Sequence, residues 1–257
     1  MNTYQYSYQT SIAFDNKVSN HHFKLRCLPF RCKFQTIIEE DFSVSPCRNI
    51  MRSVDSFGNE VIFGSTPEPH KSFAFASRGI VSLSQYLTIE EPNPIFILPT
   101  TLTEANAEML KFSEEVASFD RNNIVQSTLS LVEALHERMK YESNSTTTKT
   151  SAIEAFAQGK GVCQDFSHVM LAMLRSRKIA CRYVSGFIPG EGESHAWIEV
   201  NDNGVWYAID PTRKLLIESD YLKISQGRDF NDCSMERGVF VGEGFQYKQV
   251  HITMTEL

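Results

Sequence analysis

With 257 residues, 42% of them hydrophobic, the chain can bury a sizeable core and has room for one large or two modest domains. Charged residues make up 22% and the formal net charge is −6, so no basic field is available to attract a phosphate backbone and nucleic-acid binding is not expected. The first ten residues, "MNTYQYSYQT", lack the basic and apolar regions of a leader, and no later stretch approaches the roughly 18 apolar residues of a spanning helix. A cytoplasmic protein with no membrane partner is expected.

The six cysteines (Cys27, Cys32, Cys47, Cys163, Cys181 and Cys233) are scattered, with no CxxC pair and no histidine at metal spacing. Neither a zinc site nor a disulfide framework is indicated, and a reducing compartment is the expectation. His21-His22 lacks acidic partners at ligand spacing, and no DxDxDG calcium motif occurs. No cofactor or metal is expected.

From Tyr4 to about Pro99 the side chains alternate at period two, as in Tyr4, Tyr6 and Tyr8, with breaks at "SPC", "DSFGNE" and "TPEPH". The pattern predicts an all-β module of short strands over residues 1–98. The proline-rich "EEPNPIFILPT" reads as a linker or edge strand closing it. Residues 99–257 form the second expected domain. In it, "TLTEANAEMLKFSEEVASF" and "NNIVQSTLSLVEALHERMKYE" place apolar residues at helical spacing and predict two helices. Ser151 followed by Glu154 predicts a capping box opening a short helix over "AIEAFAQ".

The next helix carries the chemistry. Phe166, Val169, Met170, Met173 and Leu174 form one apolar stripe, which puts Cys163 at a helix N-terminus, where orphan N–H groups and the dipole favour a thiolate. Gly159 and Gly161 let the backbone turn on the approach. By position alone a packed structural cysteine is the commoner outcome. Asp165, in the first turn, reads as a dipole partner rather than a catalytic group, and His168, off the stripe, is expected in solvent.

Three strands follow, in "ACRYVSGFIPG", "SHAWIEV" and "GVWYAIDP". Asn203-Gly204 is a strong hairpin signal between the last two. A four-residue loop would set His195 opposite Asp210. A two-residue loop would set Trp197 opposite Asp210, with His195 the diagonal neighbour on the same face. Only an odd loop would separate them. The chain thus supplies a cysteine at a helix start, a histidine, and an aspartate that a hairpin brings to the histidine: a nucleophile, a base and an orienting acid. Trp197 and Trp206 would pack over the site or the core, with Trp197 a possible substrate wall.

With those residues in view, "GKGVCQDF", "SHAWIEV" and "WYAIDPT" resemble the three motif blocks of the transglutaminase-like cysteine enzymes. "FKLRCLPF" and "DSFGNEV" resemble the β-domain that precedes the core in bacterial members, and "GRDFNDCSMERGVFVG" resembles the segment after the aspartate. The resemblance implies an α+β papain-like core of helices packed on an antiparallel sheet, behind an N-terminal β-domain. It also implies a Cys163, His195, Asp210 triad acting through a thioester on amide bonds of a protein or peptide substrate. An amide a few residues before the cysteine helps stabilise the oxyanion in the wider fold, and Gln158 is the only one in that window. A peptidase or amidase is expected, with an amine-accepting transglutaminase and a non-catalytic scaffold as alternatives.

Overall fold

The computed structural model describes residues 1–47, 49–119 and 123–257. Strand accounts for 47% and helix for 21%, so the fold is richer in strand than the α+β expectation suggests. The first third holds β1 (Asn2–Leu25), β2 (Gln35–Ser45), β3 (Ile50–Val54), β4 (Glu60–Thr66) and β5 (His70–Leu83). Short strands were expected throughout, yet β1 runs for 24 residues. No glycine or proline interrupts it, and its early part pairs with β5 while its end pairs with β4. Tyr4, Tyr6, Tyr8, Thr10, Ile12 and Phe14 are buried on one face, the period-two pattern of a half-buried strand.

The segment expected to be a linker or edge strand, residues 90–100, forms no strand. β6 (Thr88–Ile89) pairs with the distant hairpin strand at Val205 and Trp206, and Pro94–Ile97 forms a 3-10 turn capped by the Asn93 side chain. Phe96 of that turn meets Trp206 edge-on at 5.7 Å between ring centroids, and Trp206 itself is buried there, away from His195.

The predicted helices form: α1 (Ala107–Val116), α2 (Ile124–Arg138), α3 (Ala152–Gln158) and α4 (Cys163–Ser176). Asn122, the first residue of the second expected helical stretch, lies outside the described residues. Ser151 and Glu154 make the expected capping box, and α3 ends at Gly159 in the left-handed conformation (φ 66°), a common helix stop. β7 (Lys140–Tyr141) and β8 (Lys160–Gly161) pair in parallel and tie the end of α2 to the start of α4.

The remaining strands are β9 (Cys181–Phe187), β10 (Gly190–Gly192), β11 (His195–Asp202), β12 (Val205–Asp210), β13 (Leu215–Ile217) and β14 (Leu222–Gly227); then come α5 (Phe230–Cys233), β15 (Glu236–Val241) and β16 (Gln246–Glu256). The core sheet has the order β13-β12-β11-β9-β14, all antiparallel. α4 packs on its Ala196, Ile198 and Val200 face. The stripe on α4 predicted a one-sided helix, but every residue from Gln164 to Arg175 is buried. His168 is fully enclosed, contrary to the expectation of a solvated residue, because α3, β9 and the α5 segment cover the helix from other sides.

A division at residues 98 and 99 does not follow the sheets. β15 and β16 leave the core and pair with β1, on its second and first halves respectively. Phe187, Leu222 and Ile224 of the core sheet share one apolar cluster with Tyr6, Tyr8 and Met235, so the two lobes are joined by packing. Among the described residues no helix is long and apolar enough to cross a membrane.

Candidate active site

Cys163 is the first residue of α4 and is partly buried. The approach is tight: a Cβ on Gly161 would lie 2.5 Å from the Asp165 Cβ, so only glycine lets the chain pass. Asp165 accepts hydrogen bonds from the Val162 N–H at 2.8 Å and the Thr146 hydroxyl at 2.6 Å. It is a structural cap, as the sequence suggests, and burial raises its carboxyl pKa despite those donors.

The hairpin selects the shorter of the two even loops. Asp202 pairs with Val205 and Ile198 with Ile209, while Asn203 and Gly204 both take positive φ (52° and 83°), as a two-residue type I′ turn requires. His195 therefore lies diagonal to Asp210, and its Nε2 is 2.6 Å from Asp210 Oδ2. Cys163 lies close enough to the same imidazole for its sulfur to favour the charged ring, and with Nε2 on Asp210 the free ring nitrogen is Nδ1.

Asp210 is fully buried and its acceptors are filled. Oδ1 takes the N–H groups of Thr212 and Arg213 at 2.9 and 3.0 Å, and Oδ2 takes the Tyr221 hydroxyl at 2.7 Å in addition to His195. Burial pushes its pKa up, but the His195 bond and charge outweigh that and hold it below the usual carboxylate value. The His136 ring hydrogen-bonds the Pro211 carbonyl at 2.7 Å, anchoring this strand end to α2. For His195, burial opposes the charged form. The hydrogen bonds and charges of Asp210 and Cys163 win, and its pKa rises to about 9.

Two other predicted residues stand differently. Trp197, expected as a possible substrate wall, is fully buried. It stacks behind His195 at 6.4 Å and spends its N–H on the Tyr86 hydroxyl at 3.1 Å, so it supports the imidazole and no substrate reaches it. Gln158 ends α3 with an exposed side chain, and among the described residues no hydrogen bond links it to Cys163 or His195. Sequence reasoning missed Tyr221 and Tyr141. Tyr221 reaches Asp210 from beyond β13, a contact that no local pattern encodes. Tyr141 lies beside Gly161 through the β7–β8 pair, and its phenol pKa is raised by burial and then by the charge at Cys163.

Four residues along β11 from His195 lies a second charged cluster. Glu199 is bonded by Arg182, by Lys223 Nζ at 2.7 and 2.9 Å, and by the Tyr86 hydroxyl at 2.6 Å. Burial alone would raise its pKa, yet Arg182 and Lys223 hold it at about 2.

Residues 111–211 match the model of the transglutaminase-like superfamily core, and residues 4–82 match the bacterial transglutaminase-like N-terminal region. An uncharacterized protein of Mycobacterium leprae is 24% identical, covering 97% of both chains. One of Mycobacterium tuberculosis is 24% identical over 92% of this chain and 87% of its own. Among solved structures, a candidate cysteine protease from Cytophaga hutchinsonii superposes with a TM-score of 0.80 at 21% identity, over 100% of this chain and 92% of that one. With both of its lobes matched in order, the chain belongs to the bacterial transglutaminase-like superfamily.

Proposed function

We propose that the protein is a cysteine-dependent acyl-transfer enzyme acting on amide bonds of proteins or peptides, with Cys163 as nucleophile, His195 as proton carrier and Asp210 as orienting acid. The observation that carries this reading is the imidazole held between a buried carboxylate and a thiol at a helix start, with its pKa raised to about 9. At neutral pH such an imidazolium stabilises the thiolate beside it. The Cys163 sulfur attacks the carbonyl carbon, and the developing oxyanion meets the Cys163 backbone N–H, with the Gln158 amide as its proposed helper. As the C–N bond breaks, the His195 proton passes to the leaving amine and a thioester remains.

In the second step His195 takes a proton from the incoming nucleophile, which attacks the thioester carbon and returns the sulfur as thiolate. Water as that nucleophile makes the enzyme a peptidase or amidase, the reading we favour. A lysine amine would make it a cross-linking transferase. The six free thiols agree with a reaction in a reducing compartment such as the cytoplasm. A glutamine-containing protein incubated with a labelled amine separates the outcomes: new N-termini identify a peptidase, ammonia alone an amidase, amine incorporation a transferase. Cys163→Ala should abolish whichever product forms, with a loss of at least about 10⁴-fold. Activity retained in that variant would overturn the site, and a wild type inert in every arm, with Cys163 no faster to alkylate than Cys181, would leave the scaffold reading.

A further inference from the structure

A groove of about 510 Å³ opens between the two lobes. Its lining includes Ser194, the residue before His195, and Ser185, the cross-strand partner of Ala196. On the core side it is walled by Thr148 and Lys149, in the loop that Thr146 ties to Asp165 at the first turn of α4. The facing wall belongs to the other lobe: Tyr8 of β1, Glu236 and Arg237 of β15, Lys248 and Val250 of β16. The groove therefore exists because β15 and β16 return to β1 and stand across from the catalytic loops.

Its charge runs against that of the whole molecule. Three cations, Lys149, Arg237 and Lys248, and one carboxylate, Glu236, line it. Glu236 is matched by Lys248 at 2.7 Å. Among the described residues the Arg237 side chain donates only to the neutral Asn231 side chain, at 2.7 Å, and the Lys149 ammonium has no acidic partner. Two positive charges are left over in a chain whose formal charge is −6. Concave and two-walled, with the residue before His195 in its lining, it has the placement of a substrate subsite.

We infer that this groove holds an acidic segment of the substrate, with a carboxylate side chain between Lys149 and Arg237 while Cys163 attacks a neighbouring amide. The inference rests on the acyl-transfer reading for the chemistry, but the binding it describes is measurable without turnover. Because both cations are exposed, each should contribute only about two- to fivefold in affinity, and salt should screen it. Electrostatic complementarity of this kind selects partners more than it tightens them.

The test uses two fluorescein-labelled peptides with the same central glutamine, one flanked by glutamates and one by neutral glutamines and serines. Binding is read by anisotropy and turnover by mass spectrometry, for the wild type, Lys149→Glu/Arg237→Glu and the milder Lys149→Gln/Arg237→Gln. The acidic peptide should bind about tenfold tighter to the wild type, with a correspondingly lower KM and similar kcat. The preference should shrink in the glutamine variant, vanish or invert in the glutamate variant, and collapse in 0.5 M salt (about a fourfold Debye-length contraction from 0.03 M). Equal binding of both peptides, or a preference that survives charge reversal, overturns the inference even if turnover is normal. Charge-sensitive binding with no turnover upholds the groove and overturns the acyl-transfer reading instead.

Discussion

The start and the middle of β11 carry charged clusters that differ in what their charges face. At Glu199, one fully buried carboxylate meets Arg182 and Lys223, both nearly inaccessible, and a tyrosine hydroxyl completes its shell. Arg182 also meets Glu90 at 3.2 Å, so two cations face two carboxylates and the charge of the cluster is matched within the protein. At His195 the carboxylate is equally buried, but the imidazole it holds keeps 12% of its side chain exposed and has the Cys163 sulfur for a neighbour. The same strand thus supports a closed ion cluster and a partly open histidine–carboxylate pair, and the difference lies in whether the last neighbour is a fixed charge or a thiol. His168 sharpens the lesson: also buried, but with only the Phe230 N–H on its ring and no carboxylate, its pKa is pushed down to about 3, chiefly by burial.

That contrast can be broken experimentally. Asp210→Asn should be the most severe change at the His195 cluster, lowering kcat by about 10⁴-fold, because the amide neither holds the imidazole tautomer nor stabilises the imidazolium. Steady-state kinetics on folded protein would check it, and a loss below tenfold would remove Asp210 from the relay. Glu199→Gln should act on folding instead. It leaves Lys223 without its anion and Arg182 with Glu90 alone, and should cost about 3–5 kcal/mol in urea unfolding, while activity per folded molecule stays within a few-fold of wild type. A large kcat loss with intact stability would mean that the two clusters are coupled.

The smallest effect concerns protons. In Cys163→Ala the sulfur's hydrogen bond and charge are gone, so the His195 pKa should fall below about 9, as read by NMR titration of the imidazole. Its sign in stability follows by linkage. A folded-state pKa above the usual value of about 6.5 contributes stability that is fully present below about pH 6.5 and is lost as pH rises through about 9. The wild type should therefore lose more unfolding free energy than Cys163→Ala between those limits. An unchanged imidazole pKa in the variant would mean that the thiol and the ring do not interact.

Much of the site was legible because its determinants are local. The hairpin depends on Asn203 and Gly204 adopting positive φ, and either even loop puts His195 and Asp210 on one face. The structure adopts the two-residue form, in which they are diagonal neighbours. Cys163 stands at a helix start because the apolar periodicity begins at Phe166, and the Ser151 box is complete within four residues. The partners of Asp210 were not legible: Tyr221 arrives from across the sheet, and the occupancy of a buried acceptor is a matter of three-dimensional packing. Trp197 and His168 failed as expectations for the same reason, since alternation and helical phase say which way a side chain points but not what covers it.

The amino-acid sequence by itself determined the helices, the hairpin turn and the order of the reactive residues, because capping, turn chemistry and periodicity act within a few residues of the chain. Only the tertiary structure decided that β1 runs unbroken, that β15 and β16 return to it, and that the second lobe thereby walls the groove that Ser194 lines. Those choices depend on which distant strand edges and apolar faces find each other, and the energy that settles them is spread over contacts separated by most of the chain.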